Sequence, residues 1–379
     1  RTFVVFLSNQ LHPDGKRDVI PLRGIVASIA AASLLDDVRA QARQLSSKVP
    51  VLPEVKTGID VLAEEDFRAI AGKRIGLVTN TTGRARDGRS TVDVLRSEAA
   101  KKAGVQLALL FAPEHGIRAD AEGNIADRLD PESGIRVRSL YGESRRPRPE
   151  DLSGLGAVVY DIQDVGARFY TYLTTLGYLL EEAAKVGVPV VVLDRPNPIN
   201  GLAVEGPLAD PDSLTFIAYH TIPVRTGMTV GEMARLFNTE RKIGAKLTVI
   251  PMRGWSRDLW YDETGLPWVN LSPNMRSLQS ATLYPGVALL EYTNLSVGRG
   301  TDSPFELIGA PWLDGRRLAR VLDHRRRVVG RRRHLAVDAL GGDRRGVARD
   351  HRGVAAAGRE QLVVRAALGH AAGVEHDDL

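Results

Sequence analysis

The stretch VQLALLFAPEHG, residues 105–116, decides how the fold is interpreted. Its first half is a short, mostly apolar run, which is typical of a buried strand. Pro113 and Gly116 bracket Glu114 and His115, which indicates a turn rather than a helix interior. Ligands of open α/β sheets bind beyond the carboxyl ends of the strands, so we predict that Glu114 and His115 lie at that edge. A carboxyl group beside an imidazole is a usable acid–base pair, although a solvated loop fits the same residues.

The same pattern, an apolar strand followed by polar residues, occurs at three further places in the chain. Strands are predicted at 74–80, 157–162 and 188–194, and helices are predicted at 91–103 and 167–186. This alternation predicts a parallel sheet. The strand ends carry four polar clusters: Asn80; Glu114 and His115; Asp161, Gln163 and Asp164; and Asp194, Arg195 and Asn197. We predict that the clusters meet at one edge, although polar residues collect in βα loops of any function.

Composition excludes several classes of function. The chain has 379 residues, enough for two or three domains, and no cysteine, which excludes a disulfide framework, a thiol nucleophile and a Cys-ligated metal. The formal net charge is +5, but residues 316–379 hold fifteen arginines and eight acids and so carry +7. The remainder carries −2, and we therefore predict no nucleic-acid binding for the body of the protein. No apolar run is long enough to predict a membrane span.

Four segments are predicted along the chain. Residues 1–50 hold one β-run and one helical pattern, which cannot bury a core alone, and we assign them to the end of another domain plus a linker. Residues 51–210 are predicted to form a Rossmann-like domain, and residues 211–315 a smaller α/β (α+β) domain. The Arg-rich tail, residues 316–379, lacks aromatic residues, Ile, Lys, Ser, Thr, Asn, Pro and Met. A reading-frame slip or a disordered basic tail explains this composition.

Two local patterns bear on the ligand. Trp255, Trp260 and Trp268 fall within fourteen residues, close to carboxylates. Aromatic faces beside polar groups suit sugar rings, and core packing of a second domain is the competing interpretation. The stretch Gly76–Gly83 matches neither glycine-rich phosphate-binding pattern. We therefore predict no nucleotide, and neither a cofactor nor a metal ion.

Motifs across residues 58–315 resemble the family long called domain of unknown function 1343, now the exo-β-N-acetylmuramidases. The motifs are GLVTNTTG at 76–83, PEHG at 113–116, DIQDVGARFYTY at 161–172, LDRPNP at 193–198, EGP at 205–207, SPNM at 272–275, YPG at 284–286, GRGT at 298–301, PFE at 304–306 and GAPW at 309–312. The resemblance implies a Rossmann-like domain joined to a smaller α/β domain, with the active site between them. It also implies hydrolysis of terminal N-acetylmuramic acid from the non-reducing end of peptidoglycan fragments.

The ends of the chain and three positions depart from this family pattern. Residues 3–9, FVVFLSN, resemble the last strand of the serine β-lactamase-like fold, which implies a fused or adjacent domain of that kind. Tyr292 and Val297 stand where Gly and Glu are expected, and Thr226 stands where His or Tyr is usual. A cell-wall substrate implies a secreted, periplasmic or cell-envelope location.

The resemblance and the strand-end positions together assign roles to the site residues. Glycoside cleavage usually needs a protonated acid and a second group at the anomeric carbon. We predict Glu114 as the general acid, with His115 orienting it. Asp164 is the base or nucleophile, or else the acetamido group of the substrate attacks with help from Asp164 or a tyrosine. Arg168 or Arg195 is predicted to bind the lactyl carboxylate. The remaining predicted substrate-binding residues are Asn80, Gln163, Tyr170, Tyr172, Asn197, Asn274 and Arg299.

Two alternative functions stay open at this point. The first is a non-catalytic muropeptide-binding module of the cell wall, which keeps the sugar site without turnover. The second is a nucleotide-dependent Rossmann enzyme, which the missing glycine fingerprint disfavours.

Overall fold

A computed structural model of the protein describes residues 54–119 and 126–321. The predictions made for residues 1–50, and for the tail beyond residue 321, lie outside the described residues. Contacts divide the chain into two compact units. Residues 54–285, where described, belong to one unit, and residues 286–321 belong to the other.

A mostly parallel sheet of seven strands forms the centre of the larger unit, as far as the structure describes it. The strands are β1 (Arg74–Thr79), β2 (Gln106–Ala112), β3 (Arg128–Leu129), β4 (Arg136–Ser139), β5 (Ala157–Asp161), β6 (Val190–Leu193) and β9 (Leu247–Ile250). Their order is β3-β4-β2-β1-β5-β6-β9, and only β3 runs antiparallel to its neighbour. Without β3, this is the 3-2-1-4-5-6 order of a Rossmann sheet. The predicted Rossmann-like α/β class is confirmed.

Strand burial explains why the central strands are continuous apolar runs. Every residue of β5 and β6 is buried, as expected for a sheet covered on both faces. β1 pairs with β2 on one side and with β5 on the other, both in parallel. A second sheet of two antiparallel strands, β7 (Glu205–Leu208) and β8 (Pro223–Arg225), lies outside this order.

Helices connect the strands. They are α1 (Gly58–Glu64), α2 (Thr91–Leu95), α3 (Glu98–Lys102), α4 (Pro149–Leu152), α5 (Tyr172–Lys185), α6 (Val230–Glu240) and α7 (Leu278–Val287). Ser90 caps α2 and Thr229 caps α6, since each side chain accepts a hydrogen bond from the third residue of its helix. No helix within residues 54–119 and 126–321 is both apolar enough and long enough to span a bilayer.

Two predicted helices differ from the structure. The helix predicted at 91–103 is divided into α2 and α3, because the Ser97 side chain accepts a hydrogen bond from Ala100 N and starts a new helix. The helix predicted from residue 167 begins only at Tyr172. The preceding segment pairs with β8 instead, through Arg168 N and the Val224 carbonyl (2.8 Å).

The sheet continues past residue 210, where the first domain was predicted to end. β9 pairs with β6 over four residues, and α6 packs beside both strands. The reason is the β6–α6–β9 crossover, whose helix and second strand both come from residues 230–250.

The described residues 286–321 belong to the second unit. They contain a 3₁₀ helix at Ala288–Tyr292 and an antiparallel bridge between Ser296 and Gly309, with N–O distances of 2.7 and 3.0 Å. Arg299, a predicted substrate-binding residue, donates to Glu291 at 2.8 Å. Both partners of this ion pair lie in the same unit.

Candidate active site

The carboxyl ends of β1, β2, β5 and β6 meet at one edge, because the four strands are neighbours and parallel. The predicted convergence of the four polar clusters is therefore confirmed. After β1 the chain adds β2 and β4 on one side of it, and then crosses back to add β5 on the other side. The switch point of the sheet therefore lies between β1 and β5. A crevice at such a switch point is the usual ligand site of this architecture.

Glu114 follows β2 at this edge and is half-buried. Thr171, in the loop before α5, donates a hydrogen bond from its hydroxyl group to Oε2 of Glu114. The Tyr141 hydroxyl also interacts with the Glu114 carboxylate. Burial, and then this carboxylate, raise the pKa of Tyr141. Two hydroxyl groups from separate loops therefore interact with one carboxyl group at the carboxyl edge of the sheet.

His115 lies in a turn that positions its neighbour Glu114. The turn is closed by a hydrogen bond from Gly116 N to the Pro113 carbonyl (3.0 Å). The His115 backbone has φ of +69°, in the left-handed region that non-glycine residues rarely adopt. Such strain persists where the surroundings impose it, and it clusters at functional sites. The turn is thus consistent with a precisely placed Glu114.

Asp164 follows β5 and is almost completely buried. Its Oδ2 accepts a hydrogen bond from Gly166 N at 2.7 Å, whereas Oδ1 has no hydrogen-bond partner among the described residues. Burial raises the pKa of Asp164 to about 7. Gly166 is required for this turn, since its φ is +87° and a Cβ there would lie 2.5 Å from Asn197 Oδ1.

The charges of Glu114 and Asp164 both affect the pKa of the same tyrosine, Tyr170. Tyr170 is buried, and burial raises its pKa well above the ordinary value; the charges of Asp164 and of Glu114 both raise it further. Both carboxyl groups therefore lie within electrostatic range of one phenol hydroxyl. Tyr172 contacts Tyr170 edge to face, with ring centroids 4.9 Å apart. The structure thus brings together four predicted site residues, from the loops after β2 and β5.

Asn80 and Tyr172 connect this group to the end of β1. Asn80 Nδ2 donates to the Tyr172 hydroxyl at 3.0 Å, and that hydroxyl donates to the Leu271 carbonyl at 2.8 Å. Asn80 Oδ1 accepts from the Thr82 hydroxyl (2.6 Å) and from Thr82 N (2.9 Å). The polar atoms of Asn80 are therefore used to fix the loop, and its predicted contact with substrate remains a prediction.

Arg195 forms a buried ion pair with Asp161. Its Nε donates to Asp161 Oδ1 at 2.5 Å and its Nη2 to Oδ2 at 2.8 Å, while Nη2 also contacts the Arg84 carbonyl at 2.9 Å. Thr91 donates a further hydroxyl hydrogen bond to Asp161. Asp161 is 0% exposed and Arg195 3%. This geometry favours a structural role for Arg195 over the predicted contact with a lactyl carboxylate.

Arg168 joins the loop after β5 to the two-stranded sheet. Its Nη1 donates to the carbonyls of Ile222 (2.6 Å) and Pro207 (2.8 Å), and partial burial lowers its pKa. Backbone carbonyls thus occupy Nη1, whereas the buried Nε has no partner among the described residues, and the predicted contact of Arg168 with substrate stays a prediction.

Two further predicted site residues form hydrogen bonds within the protein, and a third lies in a turn. Gln163 Nε2 donates to the carbonyls of Pro196 (2.7 Å) and Asp164 (2.9 Å). Asn197 Nδ2 donates to the Met228 carbonyl at 3.0 Å. Asn274 lies in the turn between Ser272 and Met275. These contacts hold the loops together at the carboxyl edge, and the predicted substrate contacts stay predictions.

Trp260 fits the packing interpretation better than the sugar-stacking interpretation. Trp260 is 5% exposed, and the Arg225 guanidinium lies 5.6 Å from its ring centroid. Trp268 packs edge to face against Tyr261, with centroids 5.3 Å apart. Trp260 is thus covered by protein, whereas Trp255 and Trp268 are partly exposed.

Sequence reasoning did not single out Thr171 and Tyr141, which both contact Glu114. Thr171 lies within the motif at 161–172, so its position there was a usable signal. Tyr141 lies in a loop with no motif, and only the fold brings it to Glu114. Within the part of the chain that the structure describes, no three His, Cys, Asp or Glu side chains are grouped to hold a metal ion.

The raised pKa of Asp164 predicts a pH-dependent stability. The carboxyl is ionised above about pH 3.8 in the unfolded chain but only above about pH 7 in the folded protein. The contribution of Asp164 to the free energy of unfolding is therefore fully present below pH 3.8 and is lost as the pH rises through 7. The loss amounts to up to about 4 kcal/mol. Urea unfolding of the wild type and Asp164→Asn at pH 5 and 8 measures this. We expect the Asn variant to gain stability relative to the wild type at pH 8, and a pH-independent difference would contradict the burial.

Fold and site together define an α/β protein of Rossmann type, with a polar site beyond the carboxyl ends of its parallel strands and two carboxyl groups beside a buried tyrosine. The family model described as the N-terminal part of exo-β-N-acetylmuramidase NamZ matches residues 75–279, and that of the C-terminal part matches residues 282–333. The chain belongs to the exo-β-N-acetylmuramidase NamZ family. The second match extends into the segment predicted as an anomalous tail.

Individual relatives agree with this family. The chain is 43% identical, over 298 residues, to the peptidoglycan β-N-acetylmuramidase NamZ of Bacillus subtilis, covering 78% of this chain and 69% of the relative. A crystal structure of a DUF1343 family protein from Bacteroides fragilis is similar with a TM-score of 0.67 and 40% identity, covering 73% of this chain and 70% of that one. A second such structure from the same organism has a TM-score of 0.59 and 31% identity, covering 69% and 68%.

Proposed function

We propose that this protein is a glycoside hydrolase that releases terminal N-acetylmuramic acid from the non-reducing end of peptidoglycan fragments. Family membership and the relative from B. subtilis support this substrate. The observation that carries the proposal is the half-buried Glu114, held by the Thr171 hydroxyl at the carboxyl edge of the sheet, where the loop with the buried Asp164 also begins. A pair of carboxyl groups beside the scissile bond is the usual apparatus of glycoside cleavage.

Glu114 is the proposed general acid, which protonates the oxygen of the leaving sugar. It is half-buried and therefore reachable, and its carboxyl group is oriented by the hydroxyls of Thr171 and Tyr141. A proton on Oε1 leaves Oε2 free to accept the Thr171 hydrogen bond. His115, one residue away in the strained turn, sets the direction in which Glu114 leaves the backbone.

Asp164 is the proposed second group. Burial raises its pKa to about 7, so near neutral pH it exchanges a proton readily, as an acid–base residue should. Its Oδ1, which lacks a hydrogen-bond partner among the described residues, is the acceptor available for a water molecule or for the acetamido N–H of the substrate. Attack by a base-activated water, by Asp164 itself or by the acetamido oxygen fits these residues.

The substrate also suggests where the protein works. Peptidoglycan lies outside the cytoplasmic membrane, so we propose a secreted, periplasmic or cell-envelope location and a role in cell-wall turnover. A β-lactamase-like domain, fused or adjacent, is a further proposal that rests only on residues 3–9.

Defined oligosaccharides test the proposed function. The protein is incubated with a disaccharide that carries N-acetylmuramic acid at its non-reducing end, and with a trisaccharide in which the same sugar is internal. We expect mass spectrometry to show free N-acetylmuramic acid from the disaccharide only. Binding of the disaccharide without release would favour a non-catalytic muropeptide-binding module instead.

A further inference from the structure

The arginines predicted to bind the substrate carboxylate are already engaged within the protein. Arg195 is paired with Asp161 and is buried, and Arg168 donates from Nη1 to two backbone carbonyls, while its buried Nε has no partner among the described residues. Arg84, at the end of β1, donates to the carbonyls of Thr81 (3.0 Å) and Gly88 (2.9 Å). None of these three arginines is exposed, so a substrate carboxylate that approaches from solvent is better met by an exposed cation of another loop.

Arg145 has the properties of such a cation. Its side chain is exposed, and it forms no ion pair with any carboxylate among residues 54–119 and 126–321. Its guanidinium carbon lies 4.2 Å from the centroid of the Phe216 ring and 5.4 Å from that of Tyr141. The two rings are 5.8 Å apart and hold the cation on their faces. Stacking of this kind fixes a guanidinium group while leaving its N–H edge available.

Tyr141 places this cation beside Glu114. The Tyr141 hydroxyl interacts with the Glu114 carboxylate, and the charge of Arg145 acts on the same hydroxyl and partly offsets the rise in its pKa. One tyrosine side chain thus separates the proposed general acid from Arg145.

We propose that Arg145 binds the lactyl carboxylate of the terminal sugar and thereby selects N-acetylmuramic acid over N-acetylglucosamine, an inference that rests on the proposed function. The two sugars differ only by the lactyl ether at the 3-hydroxyl. A cation that meets that carboxylate gains a charge-assisted, bidentate pair with one sugar and nothing from the other. Arg145 is therefore a specificity-determining residue.

Neighbouring arginines in the same segment do not have these properties. Arg146 pairs with Glu181 at 2.6 Å and Glu182 at 2.8 Å, and it stacks on Tyr178. Arg148 lies 3.8 Å from Asp127. Arg148 consequently offers a matched control, since its replacement removes the same charge from the same segment.

The test compares two substrates that differ only in the carboxylate. One is the 4-nitrophenyl glycoside of N-acetylmuramic acid, and the other is the same glycoside with its lactyl group as the amide. For the wild type we expect kcat/KM to be roughly 10- to 100-fold higher for the carboxylate. In Arg145→Gln this ratio is expected to fall close to one, with the amide hydrolysed as by the wild type. Arg145→Lys should give an intermediate ratio, and Arg148→Gln should keep the wild-type ratio.

Three results would overturn the inference. A wild-type ratio near one, or an Arg145→Gln protein that keeps the full ratio, shows that the carboxylate is bound elsewhere or not at all. An equal loss of activity on both substrates shows that Arg145 only supports the loop. If the wild type hydrolyses neither glycoside, the proposed function fails. Calorimetric titration with free N-acetylmuramic acid and with its amide then tests Arg145 separately. The ratio of the two Kd values is compared between the wild type and Arg145→Gln, as the kcat/KM ratio was.

Discussion

Replacing Glu114 with glutamine is expected to lower kcat on a muramic acid glycoside by roughly 10²- to 10⁴-fold, with little change in KM. The amide keeps the size of the side chain and accepts the hydrogen bond from Thr171, but it has no proton to give to the leaving oxygen. Hydrolysis of the 4-nitrophenyl glycoside would underestimate this loss, because nitrophenolate is a good leaving group that departs without being protonated. The disaccharide is therefore the substrate on which the loss should be measured.

A matched variant separates this effect from a general loss of a carboxylate. Glu98 lies on the surface at the start of α3, where it pairs with Lys101. Glu98→Gln should keep wild-type kcat and KM. Full hydrolysis of the disaccharide by Glu114→Gln would remove Glu114 from the mechanism.

Replacing Arg195 with methionine is expected to lower the free energy of unfolding by about 3–5 kcal/mol. The variant leaves the Asp161 carboxylate buried without its bidentate partner, at the centre of the sheet edge. Urea unfolding measures the change. Arg253→Met is the control, because Arg253 is half-exposed and its pairs with Glu64 (3.0 Å) and Glu65 (2.6 Å) are worth at most about 1 kcal/mol.

The same variant distinguishes the two roles of Arg195. A stable Arg195→Met protein with a strongly raised KM for muramic acid, and an unchanged KM for the lactyl amide, would restore the predicted contact with substrate. Lower stability with no carboxylate-specific effect on KM supports the structural role.

The sequence predicted the sheet because its strands are buried on both faces. Such strands are uninterrupted apolar runs, as at Ala157–Asp161 and Val190–Leu193, and they are visible without a structure. Parallel neighbours place their carboxyl ends together, so the convergence of the four polar clusters also followed from the pattern. The pairing of polar side chains could not be predicted from this pattern. The apolar pattern gives no hint that Asp161 and Arg195, 34 positions apart, neutralise each other.

The start of α5 and the contacts of Glu114 depend on tertiary structure. Residues 167–171 have a helical pattern, but Arg168 N bonds to β8 and delays the helix until Tyr172. Thr171 is thereby left in a loop, where its hydroxyl reaches Glu114. Tyr141 and Arg145 have no motif around them, and their role depends on the loop that carries them to Phe216 and to Glu114.

The central claim is that a terminal sugar lies at the carboxyl edge of the sheet with its glycosidic oxygen at residue 114. A crystal structure of the Glu114→Gln protein with the uncleaved disaccharide tests it most directly. We expect the side chain of residue 114 within hydrogen-bond distance of the glycosidic oxygen, with Asp164 on the side of the acetamido group. A disaccharide bound away from the ends of β1, β2 and β5 would contradict the account.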